Sequence, residues 1–179
     1  MTALDWHPKT GLLLSSSADR GTIVWRDDKN KGQLMPQLST MNELKGNTDA
    51  CWNHRGDKFA VGAASGVVHI GSFNDTIGLW VVCMDTHLHD GPVVAVRFDP
   101  LSGRVVVSAS ADGTVILSSC YIPDLDKDSN GIFGGFSNPE TTILFKFKMR
   151  EWANTVSFSP SGEALMFASK SKPMTQLCL

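Results

Sequence analysis

Four times along the chain an aromatic residue is followed, a few positions later, by a glycine that opens a short β-branched or apolar run. The segments are Trp6 to Gly11, Trp52 to Gly56, Phe98 to Gly103 and Phe158 to Gly162. Trp6, Trp52 and Phe98 stand at even intervals, and Phe158 comes later than that interval. A spacing of about 46 residues, filled with short strands, lies close to the period of about 40–45 at which four-stranded sheets recur around a ring. One such sheet cannot bury both of its faces. Its stability has to come from the sheets on either side.

The expected fold class is therefore all-β: a WD40-type β-propeller with about four consecutive four-stranded blades of a larger ring. The whole chain, residues 1–179, is expected to be one partial propeller domain. Its repeats run approximately over 1–45, 46–88, 89–150 and 151–179, with an inserted loop over 121–139 in the third and the fourth incomplete. The chain begins inside a first strand and stops inside a repeat, so a partial chain is expected. In the first repeat the pattern predicts strands over 2–7, 12–17, 22–26 and 37–41. In the second it predicts 49–54, 58–63, 67–73 and 78–84. The third has 93–99, 104–110 and 114–119, then a delayed strand in the run "TTILFKFKM". The fourth has 155–159 and 164–169, after which the pattern fades. Ala111-Asp112-Gly113 between two β-branched runs is the clearest hairpin signal. Aspartate suits the turn because its carboxylate accepts backbone N–H groups, and glycine because it tolerates positive φ.

Composition removes several function classes. Net charge is −2 with both signs interspersed, so no basic stripe points to nucleic acid. No apolar run approaches the roughly 20 residues that span a bilayer. Cys51, Cys83, Cys120 and Cys178 are scattered, with no C-x-x-C pair, and are expected as reduced, half-buried thiols. No metal site and no cofactor are expected. His87 and His89 share a face if that stretch is extended, but two imidazoles need a third ligand. Asp126, Asp128, Asn130 and Gly131 match the start of a calcium loop. Its twelfth position is Ser137 rather than a bidentate glutamate, so a solvated turn is expected.

The remaining polar residues fall into structural sets. Blades of this kind tie a histidine, a serine of the second strand, a turn aspartate and a third-strand tryptophan into one hydrogen-bonded network, which satisfies groups that would otherwise be buried unpaired. Ser17, Asp19 and Trp25 fit it in the first repeat. His89, Ser110 and Asp112 fit it in the third, with Leu117 in the tryptophan's place. A Ser-His-Asp hydrolase would need an exposed nucleophile on a strained elbow, and no G-x-S-x-G occurs. No catalytic residue is expected. Trp6, Trp25 and Trp52 fit inner core places, whereas Trp80 and Trp152 are candidate partner contacts.

The order of these motifs resembles the WD-repeat subunits of the actin-related protein 2/3 complex. The matching stretches are Trp6, Pro8, Ala18-Asp19-Arg20 and Val24-Trp25; then Asp57-Lys58-Phe59-Ala60-Val61-Gly62, the most specific; then "LWVVCM" around Trp80, Tyr121, Ile122 and Asp126; and finally Trp152, Val156, Ser157, Phe158 and Ser159. The resemblance is collinear over nearly the whole chain. It implies about four middle blades of a seven-bladed ring and a non-catalytic scaffold without cofactor. The implied partners are the other subunits of that complex, actin-related proteins and actin filaments, in the cytoplasm and at the cell cortex. A generic WD adaptor in a coat or ubiquitin-ligase assembly is the alternative.

Overall fold

In a computed structural model, the described residues are 1–28, 31–39, 44–126, 143–169 and 175–178. They form strands and turns, with no helix among them. The first sheet holds β1 (Ala3–Trp6), β2 (Leu13–Ser16), β3 (Thr22–Asp28) and β4 (Gln33–Ser39). The second holds β5 (Asn47–Trp52), β6 (Lys58–Ala63), β7 (Val67–Asn74) and β8 (Leu79–His87). The third holds β9 (Val93–Phe98), β10 (Val105–Ser110), β11 (Thr114–Ser119) and β12 (Ile143–Lys148). The fourth holds β13 (Ala153–Phe158), β14 (Ala164–Ser169) and β15 (Thr175–Cys178). Within every sheet the strands pair antiparallel in chain order.

Adjacent sheets stack in sequence, first on second, second on third, third on fourth, with β1, β5, β9 and β13 as successive inner strands. Strand alternation assigns each residue to one of two seams. Leu14 and Val24 of the first sheet meet Ala50, Trp52, Phe59, Val61 and Trp80 of the second. Cys51, Ala60, Val68 and Ile70 meet Val93, Val96, Phe98, Val106 and Ile116 of the third. Val105, Val107, Val115 and Leu117 then meet Val156, Leu165 and Phe167 of the fourth. Because both faces are covered, β6, β10 and β11 are buried at every residue, whereas β1 alternates. In each internal seam the aromatic that ends the inner strand faces the preceding sheet.

Two strand expectations need correction. β4 starts at Gln33 rather than near residue 37, because a tight turn closes at once after β3. The N–H groups of Lys31 and Gly32 both donate to the Asp28 carbonyl at 2.9 Å, and Gly32 has φ of 59°. Residues 40 and 41 of the expected strand lie outside the described residues. The fourth repeat does not fade after 169, since β15 pairs with β14 through Phe167 to Ala164. Residues 127–142, which include 127–139 of the inserted loop, also lie outside the described set.

Candidate functional site

The histidine network of the third sheet is assembled from four chain segments. His89 is held just beyond β8, on the seam with the second sheet, and is fully buried. Its Nε2 lies 2.7 Å from Ser108 Oγ and its Nδ1 2.8 Å from Thr114 Oγ1. Thr114 donates its hydroxyl to Asp112 Oδ1 at 2.6 Å, and its N–H to the same oxygen at 2.7 Å. The other carboxylate oxygen accepts the Asp90 N–H at 2.9 Å. A neutral imidazole protonated on Nδ1 satisfies the chain: its Nε2 accepts a hydrogen bond from the Ser108 hydroxyl and its Nδ1–H donates one to Thr114 Oγ1.

The expected serine was the wrong one in both repeats. Ser110 caps the turn instead: it donates to the Gly91 and Pro92 carbonyls and accepts the Asp112 N–H at 3.1 Å. In the first sheet Ser17 likewise serves the turn: it receives the Asp19 N–H at 3.4 Å and lies against the Asp19 carboxylate, which accepts the Gly21 N–H. The inner serine there is Ser15, which accepts the Trp25 indole N–H at 2.8 Å. Serines two positions apart on a strand share a face, so alternation alone does not choose between them. Distance from the turn does. Ser15 and Ser108 each stand four positions before the turn aspartate, and that spacing was present in the sequence.

Register also moves the tryptophan's place. Leu13 pairs with Trp25 as Val106 pairs with Ser118, so Ser118 and not Leu117 corresponds to Trp25. Leu117 points into the other seam. Ser118 is buried and, among the described residues, its hydroxyl has no hydrogen-bond partner. Removing a buried unpaired hydroxyl recovers its desolvation cost of about 1 kcal/mol. Ser118→Ala should therefore raise the urea midpoint at unchanged slope, and an unchanged midpoint would refute this.

Burial holds the His89 imidazole below its ordinary pKa of 6.5, against the opposing pull of Asp112. Burial raises the Asp112 carboxyl, but the hydrogen bonds from Thr114 and Asp90 outweigh it and the net shift is downward. For His89 the unfolded chain then binds the proton more readily than the native state. Its contribution is intact above 6.5 and is lost as pH falls below it. Asp112 adds a second loss as pH drops through its own depressed value. The unfolding free energy should fall from neutral pH toward pH 5, with a shallower slope in His89→Gln.

Ser108, His89 and Asp112 have the residue types of a hydrolytic triad, but Ser108 and His89 are buried between two sheets. No substrate can reach that hydroxyl in the folded chain. His87 is exposed while His89 is buried, so the two imidazoles do not face one site. No cluster of metal-binding side chains occurs among the described residues.

A second polar assembly was not foreseen. Lys58 and Asp126 are both fully buried and form an ion pair. The Lys58 ammonium also donates to the Gly103 carbonyl at 2.9 Å and the Cys120 carbonyl at 3.0 Å. Asp126 takes the Ile122 N–H at 2.7 Å and pairs with Arg55, while Arg104 donates to its backbone carbonyl. The Arg104 guanidinium lies 5.1 Å from the Tyr121 ring centroid. These groups lock the start of the inserted loop onto the second and third sheets. The Asp126 carboxylate is consumed by cations of the chain, which removes it as a calcium ligand. Its sequence signal was weak, since Lys58 and Asp126 lie far apart in the chain.

The tryptophans redistribute as well. Trp80, expected as a partner contact, is 5% exposed, with its ring 4.8 Å from Trp52 and 5.4 Å from Phe73. It sits on the outer strand, yet on the face turned toward the first sheet. Trp6, expected in the core, is 61% exposed. Trp25 is half-buried and Trp52 buried, the latter donating its indole N–H to the Asp5 carbonyl. Trp152 is 66% exposed in the connection from β12 to β13.

All four cysteines are free thiols. Burial pushes the Cys51 thiol up to about 12 and raises Cys120 further still. Only the thiolate is nucleophilic. Iodoacetamide should therefore label the exposed Cys178, label the exposed Cys83 more slowly because partial burial raises its thiol, and leave Cys51 and Cys120 unmodified until the chain unfolds. Fast native-state labelling of either buried thiol would contradict the seam packing.

The family description "WD domain, G-beta repeat" matches residues 1–26 and 81–117. Among curated proteins the chain is similar to actin-related protein 2/3 complex subunit 1 of Schizosaccharomyces pombe, at 26% identity over 98% of this chain and 46% of that protein. Subunit 1A of Arabidopsis thaliana is 26% identical over 96% of this chain and 45% of its own length. The chain spans a little under half the length of these relatives. Elongator complex protein 2 of S. pombe is 28% identical over 68% of this chain and 17% of that protein. Among solved structures, Saccharomyces cerevisiae Sqt1 superposes with a TM-score of 0.75 at 13% identity, covering 97% of this chain and 43% of Sqt1. A chain of the mitotic checkpoint complex gives 0.71 at 14% identity, covering 99% of this chain and 47% of its own. The fold is a β-propeller array carrying WD40 repeats.

Proposed function

We propose that this WD40-repeat chain is a non-catalytic scaffold subunit of an actin-related protein 2/3 complex, supporting nucleation of branched actin filaments. The observation that carries this reading is the collinear similarity to subunit 1 from fungal and plant sources over nearly the whole chain. The similarity to frog subunit 1A proteins, at 25% identity over 94% of the chain, points the same way. The physical character of the molecule supports it. Its polar networks are buried and structural, so the described surface offers edges and loops for contact rather than a reaction centre. Stacked sheets hold such loops at fixed positions, and several partners can share one array. The partners under this reading are the other subunits, the actin-related proteins and, through them, actin filaments, at the cortical actin cytoskeleton. Trp152 is the side chain we would place in a contact, because a large exposed indole on a rigid connection is a common anchor. No nucleic acid or membrane partner enters this reading.

Similarity to Elongator complex protein 2 keeps a second reading open, in which the chain is an adaptor of a different multiprotein assembly. Purification of the tagged chain from its own cells separates the two. Actin-related proteins and the companion subunits in the eluate support the first reading. Their absence, with subunits of an elongator, coat or ubiquitin-ligase assembly in their place, overturns it.

A further inference from the structure

The first and second sheets close their outer strands with hairpins of the same build. Asp28 pairs with Gln33 in the first and Asn74 with Leu79 in the second, which leaves a four-residue turn in each. The last turn residue is a glycine of positive φ, 59° at Gly32 and 67° at Gly78. Its N–H donates to the Asp28 carbonyl at 2.9 Å in one hairpin and to the Asn74 carbonyl at 2.8 Å in the other. At three matching positions, however, the side chains differ in kind. The first hairpin carries Asp27, Lys31 and Gln33, and the second carries Phe73, Ile77 and Leu79.

Phe73, Ile77 and Leu79 are 39%, 57% and 42% exposed. The second sheet has a neighbour on each face, so these side chains are exposed with both adjoining sheets in place. Phe73 pairs with Trp80 on the face turned toward the first sheet, its ring 5.4 Å from the buried indole. Leu79 adjoins Trp80 in the strand and so belongs to the opposite face. Ile77 lies in the turn itself. The apolar side chains therefore wrap the end of the hairpin rather than line one side of it. The turn is also braced, because Asn74 Oδ1 accepts the N–H groups of Thr76 at 3.0 Å and Ile77 at 3.3 Å. Single exposed apolar residues are ordinary, but three gathered on one tip mark a contact surface, the more so where a matching tip is polar. Among them stands Asp75, exposed and with no ion-pair partner among the described residues. No lysine or arginine occurs over residues 73–79.

We propose that the tip of the β7–β8 hairpin is a plug that enters an apolar cleft of a partner protein, with a lysine or arginine of that partner at the cleft mouth against Asp75. A convex apolar end is buried by a concave surface, and a braced turn has little freedom left to lose on entering one. The unpaired carboxylate sets the sign of the rim it meets, because a basic group there is attracted and an acidic one repelled. The same carboxylate disfavours a bilayer, whose cytoplasmic surface is negative. The inference concerns this hairpin alone and does not depend on which assembly the chain joins.

The test places a benzophenone photocross-linker at Thr76 of the full chain in its own cells. The expected product is an adduct with one partner protein, mapped to an apolar cleft that has a basic residue at its mouth. Binding of that purified partner to the full chain then gives a Kd. The double variant Ile77→Lys, Leu79→Gln gives the tip the residues that the first hairpin already carries on the same backbone. It leaves Phe73 packed on Trp80. It should abolish the adduct and weaken binding by about tenfold or more, as loss of interface anchors does. Asp75→Lys should weaken binding severalfold, with an effect that shrinks as salt is raised. Circular dichroism and thermal melting check that both variants keep the fold. An adduct whose yield is unchanged in the double variant overturns the proposal. So does an adduct formed only with lipid or with a second copy of this chain. An assembly that purifies with its subunits complete but gives no adduct from Thr76 also overturns it, and leaves the scaffold reading standing.

Discussion

Replacing Asp126 with alanine is expected to lower the unfolding free energy by about 3–5 kcal/mol, the cost of stranding a buried charge. Lys58 is fully buried, and Asp126 is the only carboxylate the structure gives it among the described residues. Without that carboxylate the ammonium keeps two carbonyl acceptors, Gly103 and Cys120, but no countercharge. Arg55 is less affected, because it also reaches Asp57 at 3.0 Å near the surface. The Ile122 N–H loses its acceptor too. The double variant Lys58→Met, Asp126→Leu removes both charges and should be less destabilised than Asp126→Ala alone, since replacing a whole buried pair is often close to neutral. Urea denaturation of the three chains measures this. A single variant within about 1 kcal/mol of wild type would show that water already screens the pair.

Gly71→Ala is expected to cost about 3 kcal/mol, at the upper end for overpacking. A Cβ at this position would lie 2.1 Å from Phe59 Cζ. Phe59 has no free volume to retreat into: it is fully buried, with the rings of Trp52 and Trp80 centred 5.9 and 6.0 Å away. Gly71 corresponds in register to Trp25 of the first sheet and Ser118 of the third. Phe59 thus fills from the second strand the space that an indole takes from the third strand elsewhere. Thermal unfolding should shift down by roughly 6–12 °C for a chain of this size. Phe59→Leu in the Gly71→Ala background should recover part of the loss, while Phe59→Leu alone destabilises by opening a cavity. Strict additivity of the two changes would refute the contact.

Part of the tetrad chemistry was legible and part was not. The turns were, because Asp112-Gly113 states its own geometry locally. Gly113 takes φ of 80°, and Arg20 adopts a nearly identical 78° at the matching position of the first turn. The partners of His89 were not, because Ser108 and Ser110 look alike to any rule of alternation and only the packed seam measures their distances. The buried Lys58–Asp126 pair was hidden for a related reason. A lysine beginning a strand and an aspartate in a polar loop each look like solvated residues until two sheets and the loop are brought together.

By itself the sequence determined where strands and turns form, that they recur as like units, and which residues alternate. Those properties rest on backbone sterics and on the reach of a few neighbouring residues, so they need no knowledge of what lies across the sheet. Only the tertiary structure decided which face each strand turns to which neighbour. It buried Trp80 and left Trp6 61% exposed, two residues of the same type, because the first sheet covers Trp80 and no sheet among the described residues covers Trp6. Burial is a property of the seam, and a seam is made by residues some 46 or more positions apart.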